Sequence, residues 1–383
     1  MSYPLKKEYH GNYNQANNLQ LVAQPIKHPS IKLKTKKKKT SGFTKFVKIS
    51  FLSALCYFTI QSNYQDFIGP NFVYRFKNKN LNYDVTKLIE PTSKYLSNAN
   101  ILGQNVIANH KGKKEILQIV SSGEIQNLAQ KIDSIANKYK GLTPHVYAYD
   151  FSTGETLNYN GEEEVPVASM IKIPILFEYF KQVEEGNKDL SPNRKIIFED
   201  YHKTSGSGHL QYQGTGGVYS MDYMLDVMIT QSDNSATNLI LDYIGGKEAM
   251  NSAFRRWGLN KSRMNNWLPD LNGTNQMTAR DIATILYNFD NPKFINNQSR
   301  EYIRKYMSNL PTQKLIKAGL PQDAILLHKT GDIGKSLADA GIIYLPNGQK
   351  YILSIIVSRP HNDYRAREII EEISKVVYET IKK

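Results

Sequence analysis

Val167-Ala168-Ser169-Met170-Ile171-Lys172-Ile173-Pro174 is the stretch on which the reading of this chain turns. Pro166 precedes it, and apolar residues continue at Ile175, Leu176, Phe177 and Phe180, the pattern of a helix with a buried side that starts at this point. Positions three apart share a helix face, so the Ser169 hydroxyl and the Lys172 amine are expected to meet. A serine hydroxyl needs a neighbouring base to become a nucleophile, and a lysine serves when burial or other cations hold its amine neutral. Ser-x-x-Lys also arises by chance with the lysine on the surface, so its meaning depends on the rest of the chain.

Working outward, residues 144–150 alternate, turn at Ser152-Thr153-Gly154 and return through 156–159, a β-hairpin. A helix is expected before it, from near Ser122, because Ile125, Leu128, Ala129, Ile132, Ile135, Ala136 and Tyr139 recur with helical period; Gly141 ends it. After the Ser169 helix, from about 190 to 310, strand patterns vanish and helical ones run at 221–230, 235–243, 247–257 and 278–289. Strands are expected again at 325–329, 340–345 and 351–357, with Pro346-Asn347-Gly348 as a hairpin turn, and an amphipathic helix at 364–381 closes the chain. The expected fold is α/β (α+β): an antiparallel sheet assembled from both ends of the segment, an all-helical insert, and Ser169 at their junction.

The N-terminal side has a different character. The chain of 383 residues carries a formal charge of +14, and residues 1–48 hold eleven lysines against one acid, Glu8, a net of +10. The other 335 residues therefore carry only +4. Residues 49–65 contain no charge, a run of seventeen, near the lower limit of about 17–20 residues for a bilayer span. With lysines on its N-terminal side, the positive-inside rule puts the tail in the cytosol and the body across the membrane. The division expected is a basic disordered tail at 1–45, a transmembrane anchor at 46–65, a spacer at 66–120 and a catalytic domain at 121–383. A cleaved signal peptide, a buried soluble helix and a nucleic-acid-binding basic arm are the competing readings of this end; the lead-in is too long for the first, unexplained by the second, and the apolar run disfavours the third. The single cysteine, Cys56, lies in the apolar run, which leaves no disulfide framework and no cysteine-built metal site.

Two more motifs give Ser169 its context. Ser232-Asp233-Asn234 lies between two expected helices, and Lys329-Thr330-Gly331 ends an expected strand. Ser-x-x-K, S-D-N and K-T-G in this order are the signature of class A β-lactamases and penicillin-binding proteins. The chain resembles the class A β-lactamase family over roughly residues 121–383, and Gly206-Ser207-Gly208-His209-Leu210-Gln211, the run 233–239 and Asp339-Ala340-Gly341-Ile342 extend the likeness.

The resemblance implies roles. Ser169 attacks an amide carbonyl and Lys172 takes its proton; the N–H groups of Ser169 and Asp332 form an oxyanion hole. Ser232 passes a proton to the leaving nitrogen, Asn234 holds Lys172 and the substrate amide, and Lys329, Thr330 and Gly331 receive a substrate carboxylate. Asp233 is expected to be a hydrogen-bond hub. The family frees its acyl-serine with a glutamate in a loop reading Trp-Glu-Pro-x-Leu-Asn, whereas this chain reads Trp267-Leu268-Pro269-Asp270-Leu271-Asn272. Leu268 cannot accept a proton, Asn272 remains to hold water, and Asp270 is expected to point elsewhere. Asp332, an acid beside the carboxylate site, is expected to repel anionic substrates.

The expected activity is therefore acylation by β-lactams with slow deacylation. A D,D-peptidase-like protein acting on cell-wall peptides and a non-catalytic wall-binding module are the alternatives. The substrate is a β-lactam or an acyl-D-Ala-D-Ala-like molecule; the expected partner is the membrane, not nucleic acid, and the protein a monomer. No cofactor or metal is expected, since the histidines lack ligand spacing, and His209 and His328 read as loop and strand packing.

Overall fold

The computed structural model describes residues 116–382. The tail, the apolar run with Cys56, and most of the spacer lie outside these residues. Residues 116–120, counted above with the spacer, pack into the domain: Ile116 and Ile119 are buried, and Leu117 exchanges two hydrogen bonds with the Asn288 side chain, at 2.9 and 2.8 Å.

One five-stranded antiparallel sheet forms the frame, with β1 (Thr143–Asp150), β2 (Thr156–Tyr159), β7 (Ile325–Ile333), β8 (Ser336–Tyr344) and β9 (Lys350–Ser358) in the order β2-β1-β9-β8-β7. Strands from the two ends of the segment meet where Thr143 pairs with Ser358, as expected for a sheet built from both ends. Both faces are covered. Along β9, Tyr351, Leu353, Ile355 and Val357 face the core under α1 (Leu128–Lys138) and α8 (Arg365–Ile381), while Ile352 and Ile356 face the larger helical core. Period-two alternation with apolar residues on both sides is what a sheet between two helical layers requires.

The helical block contains α2 (Lys172–Glu184), α3 (Met221–Thr230), α4 (Asn234–Tyr243), α5 (Gly246–Trp257), α6 (Ala279–Tyr287) and α7 (Asn297–Ser308). Its helices begin where side chains accept otherwise unmatched backbone N–H groups: Ser220 from Tyr223, Asp233 from Ala236, Thr278 from Asp281 and Asn296 from Ser299.

Three expectations need correction, and one helix was not foreseen. The helix before the hairpin starts at Leu128 rather than near Ser122, because residues 123–125 run beside β2, with Ile125 N on the Thr156 carbonyl and Thr156 N on that of Gly123. Strands do occur within 190–310: β4 (Lys195–Ile197) pairs with β5 (Val218–Ser220), and β6 (Gln276–Met277) with β3 (Val165–Pro166), each too short to show a period. The helix α7 carried no expectation, since among its twelve residues only Ser299, Ile303, Tyr306 and Met307 are buried. Finally β7 runs past 329 to Ile333 and β8 starts at Ser336, so Lys329-Thr330-Gly331 lies inside a long hairpin rather than at a strand end. Among the described residues, no helix is long and apolar enough to cross a membrane.

Candidate active site

Ser169 sits on a turn held from both sides. Val167 N donates to the Asn275 carbonyl at 3.0 Å, and Ser336 Oγ donates to the Pro166 carbonyl at 2.9 Å. Ala168 has φ +49°, a left-handed conformation that costs an alanine about 1–2 kcal/mol and is retained where surroundings dictate it. Residues Ala168–Ile171 form a 3₁₀ turn that runs into α2, leaving Ser169 half-buried and Lys172 fully buried.

The expected convergence is present. Lys172 Nζ lies 2.9 Å from Ser169 Oγ, 2.8 Å from the Ser232 carbonyl oxygen, 3.1 Å from Ser232 Oγ and 3.0 Å from Asn234 Oδ1. Burial drives the Lys172 amine well below the ordinary lysine value, the charge of Lys329 adds to this, and Asp233 opposes it. A buried amine with a reduced proton affinity, at hydrogen-bond distance from a hydroxyl, is equipped to take that hydroxyl's proton.

The Ser-Asp-Asn turn reaches Lys172 because its backbone is bent to do so. Ser232 has φ +54°, and Asp233 ties the turn down by accepting from Ala236 N and Leu210 N, both at 2.9 Å. This is the hub expected from the sequence. The Gly206-to-Gln211 stretch wraps it: Asn234 Nδ2 donates to the Ser205 carbonyl at 3.1 Å, and a Cβ on Gly208 would lie 2.1 Å from Asp233 Oδ2, so only glycine fits there. His209 also contributes, with one ring nitrogen 2.8 Å from the Tyr223 hydroxyl and the other 2.6 Å from Gln231 Oε1.

The third motif closes the site from the sheet. Lys329 is fully buried, donates to the Thr330 carbonyl at 2.7 Å, and is brought by burial from 10.5 down to about 7, with Asp339 opposing. Gly331 lets the sheet touch the Ser169 turn: a Cβ there would lie 3.0 Å from Met170 Cγ and 3.1 Å from both Met170 N and the Val167 carbonyl oxygen. Behind the strand, His328 Nδ1 is 2.8 Å from Asp339 Oδ1 on β8, and Ile316 N donates to the other oxygen at 3.1 Å. His328 is thus strand packing with a charged partner.

The expectation of plain repulsion by Asp332 changes, because Asp332 is ion-paired with Arg359, a residue the sequence reading did not single out. Arg359 follows β9 directly and had no local signal to mark it.

The Leu268 loop is fastened at both ends. Leu268 is 6% exposed, its N–H donates to Asn238 Oδ1 at 3.0 Å, and its carbonyl accepts from Asn238 Nδ2 at 2.7 Å. Asp270 is consumed within the loop by Thr274 Oγ1 at 3.0 Å and Asn275 N at 2.6 Å, so it does point away as expected. At the far end Gly273 packs under Pro166, three residues before Ser169, where a Cβ would lie 2.8 Å from the proline Cβ. Asn272 is exposed. Among the described residues, no group of three or more His, Cys, Asp or Glu could hold a metal ion.

Comparison with known proteins agrees with this geometry. The model of the β-lactamase enzyme family matches residues 127–381. Beta-lactamase VEB-1 of Pseudomonas aeruginosa is 24% identical over 277 residues, which cover 68% of this chain and 92% of that protein. The structure of PBP-A superposes with a TM-score of 0.66 at 36% identity, covering 70% of this chain and 99% of that one. A leucine-to-glutamate mutant of PBP-A, solved as an acyl-enzyme complex with penicillin G, gives 0.65 at 35% identity over the same shares. With the family model spanning most of the chain, and three motifs meeting at one serine, this chain belongs to the β-lactamase enzyme family and is a serine hydrolase of the class A type.

Proposed function

We propose that this protein opens β-lactam amides by acylating Ser169 and releases the acyl group slowly. The observation that carries the reading is the meeting of Ser169 Oγ, Ser232 Oγ and Asn234 Oδ1 at the buried Lys172 amine. Lys172 in its neutral form takes the Ser169 proton as Oγ adds to the amide carbon. The N–H groups of Ser169 and Asp332 receive the oxyanion, where one donor is typically worth ~2.7–4 kcal/mol; the packing of Gly331 on Met170 supports this assignment. The C–N bond then breaks, Ser232 passes the proton from Lys172 to the leaving nitrogen, and an ester remains on Ser169. Asn234 holds Lys172 and the substrate's side-chain amide, and Lys329, Thr330 and Gly331 take its carboxylate.

Release of that ester requires an activated water. Leu268 stands where the family has its glutamate, leaving Asn272 to hold water without a general base, whose help is typically worth ~10²–10⁴-fold. The acyl-enzyme of the PBP-A mutant with penicillin G supports covalent capture by this architecture. A second reading, a penicillin-binding or D,D-peptidase-like protein acting on cell-wall peptides, is favoured by the 36% identity to PBP-A against 24% to VEB-1. The same serine would serve it. The lysine-rich residues 1–48 and the uncharged run 49–65 support a single anchor with the catalytic body outside the cytoplasm.

Intact mass after mixing with benzylpenicillin tests the reading. One persistent adduct, mapped to Ser169 and absent from Ser169→Ala, is expected; no adduct together with no hydrolysis of the penicillin refutes acylation, and rapid hydrolysis without a lasting adduct refutes slow release.

A further inference from the structure

Side chains alternate along β7, so Thr330 and Asp332 share a face two residues apart, while Gly331 faces the nucleophile turn. The Asp332 carboxylate is 52% exposed on that face, and the Arg359 side chain paired with it is 3% exposed. Arg359 is otherwise held by carbonyl oxygens, those of Ile333 at 3.2 Å and of Gly334 and Asp363 at 3.3 Å. The nearby Asp363 carboxylate is engaged by Arg365 at 2.6 Å. Asp332 is therefore the carboxylate ion-paired with the Arg359 guanidinium, while the Asp363 carboxylate also feels the Arg359 charge.

A guanidinium keeps its charge at every working pH. Lys329, by contrast, is brought down to about 7 by burial and is only partly charged near neutrality. Arg359 is a permanent cation tied to this strand end through Asp332 and the Ile333 and Gly334 carbonyls, and an exposed acid offsets it. A solvated pair on a surface would mean little; here one partner is buried and the other borders the position assigned to the substrate carboxylate.

We propose that Asp332 is a specificity-determining residue of the acylation site, whose carboxylate cancels Arg359 and weakens capture of substrates that carry an anion on the leaving-group side. The inference rests on acylation of Ser169 as proposed above. It deepens that reading by naming the charge class of substrate the site disfavours.

The size of the effect follows from geometry. Two strand residues span about 6–7 Å. A unit charge at that distance, in an effective dielectric between about 20 and 80 and screened over about 8 Å, changes the capture of an anion by about 1.5- to ninefold.

The test compares acylation of the full-length protein by benzylpenicillin, an anion, and by its neutral methyl ester, and reads the ratio of the two second-order constants. Effects of a substitution on the chemistry common to both substrates cancel in that ratio. Asp332→Asn should raise the anion-to-ester ratio about 1.5- to ninefold, Asp332→Ser should move it the same way, and Asp332→Glu should leave it near the wild-type value. Salt at 1 M should erase the gain. A ratio that stays put or falls in both neutral variants overturns the proposal, as does the same rise in Asp332→Glu. Failure of the wild-type protein to form a Ser169 adduct with either compound would refute the acylation reading itself, a different result from an unmoved ratio.

Discussion

Replacing Lys329 by methionine removes an ammonium that folding takes almost wholly out of water. Burial brings this amine from 10.5 down to about 7. A tenfold change in proton affinity is about 1.4 kcal/mol, so keeping the charged lysine in the folded chain costs about 4–5 kcal/mol where both states are protonated, below about pH 7. Between about 7 and 10.5 the unfolded chain binds the proton and the folded chain does not, so wild-type stability rises with pH across that window. The variant has no such group and no such rise. It also loses the hydrogen bond to the Thr330 carbonyl, worth about 1 kcal/mol. Lys329→Met should therefore be more stable than wild type by about 3–4 kcal/mol at pH 6, and this advantage should shrink by about 2–3 kcal/mol at pH 9. Urea unfolding followed by circular dichroism at the two pH values measures both numbers. The charge of Lys329 also helps to hold the Lys172 amine low, so acylation of the variant by a neutral β-lactam ester should shift toward higher pH. A stability difference that is the same at pH 6 and pH 9 would refute the argument, because it would mean that Lys329 does not give up its proton in the folded protein.

Two further substitutions probe the loop and the strand. Leu268→Glu should shorten the lifetime of the penicillin adduct by about 10²–10⁴-fold while costing about 3–5 kcal/mol for an unpaired buried carboxylate; adduct decay by intact mass reads it, and an unaltered lifetime places Leu268 away from the water's path. Gly331→Ala should slow acylation by about 10²-fold and cost about 1–3 kcal/mol, since two of the three atoms its Cβ meets are backbone. Stopped-flow acylation and thermal melting check it, and wild-type kinetics would show that the turn at Ser169 tolerates displacement.

What could be read from the sequence was set by how far each interaction reaches along the chain. The Ser169–Lys172 pair is one helical turn and follows from period alone. The nine-residue strands β8 and β9 carry apolar runs long enough to show themselves, in β8 only from Ala340, whereas the two- and three-residue strands β3, β4, β5 and β6 do not. Ser232 and Asn234 meet Lys172 from 60 and 62 residues away, a closure that no local pattern encodes and that came from the order of the three motifs. The Asp332–Arg359 pair was invisible because it depends on the β7–β8–β9 register, and the expected strand ends at 329 and 340 left out the hairpin turn at 334–335. Asn238 stood within a quoted run, but its double hold on Leu268 needed the loop's path to be seen.

The pairing of Thr143 with Ser358 has a consequence for how the protein is made. As the chain emerges in order, β1 waits unmatched along one side through the synthesis of 200 further residues, with apolar groups on both of its faces. A product cut short before β9 would keep all three catalytic motifs yet leave that strand bare, prone to clumping and to proteolysis. Residues 350–381, which supply none of the three motifs although Arg359 lies among them, therefore decide whether the nascent protein survives long enough to use those motifs.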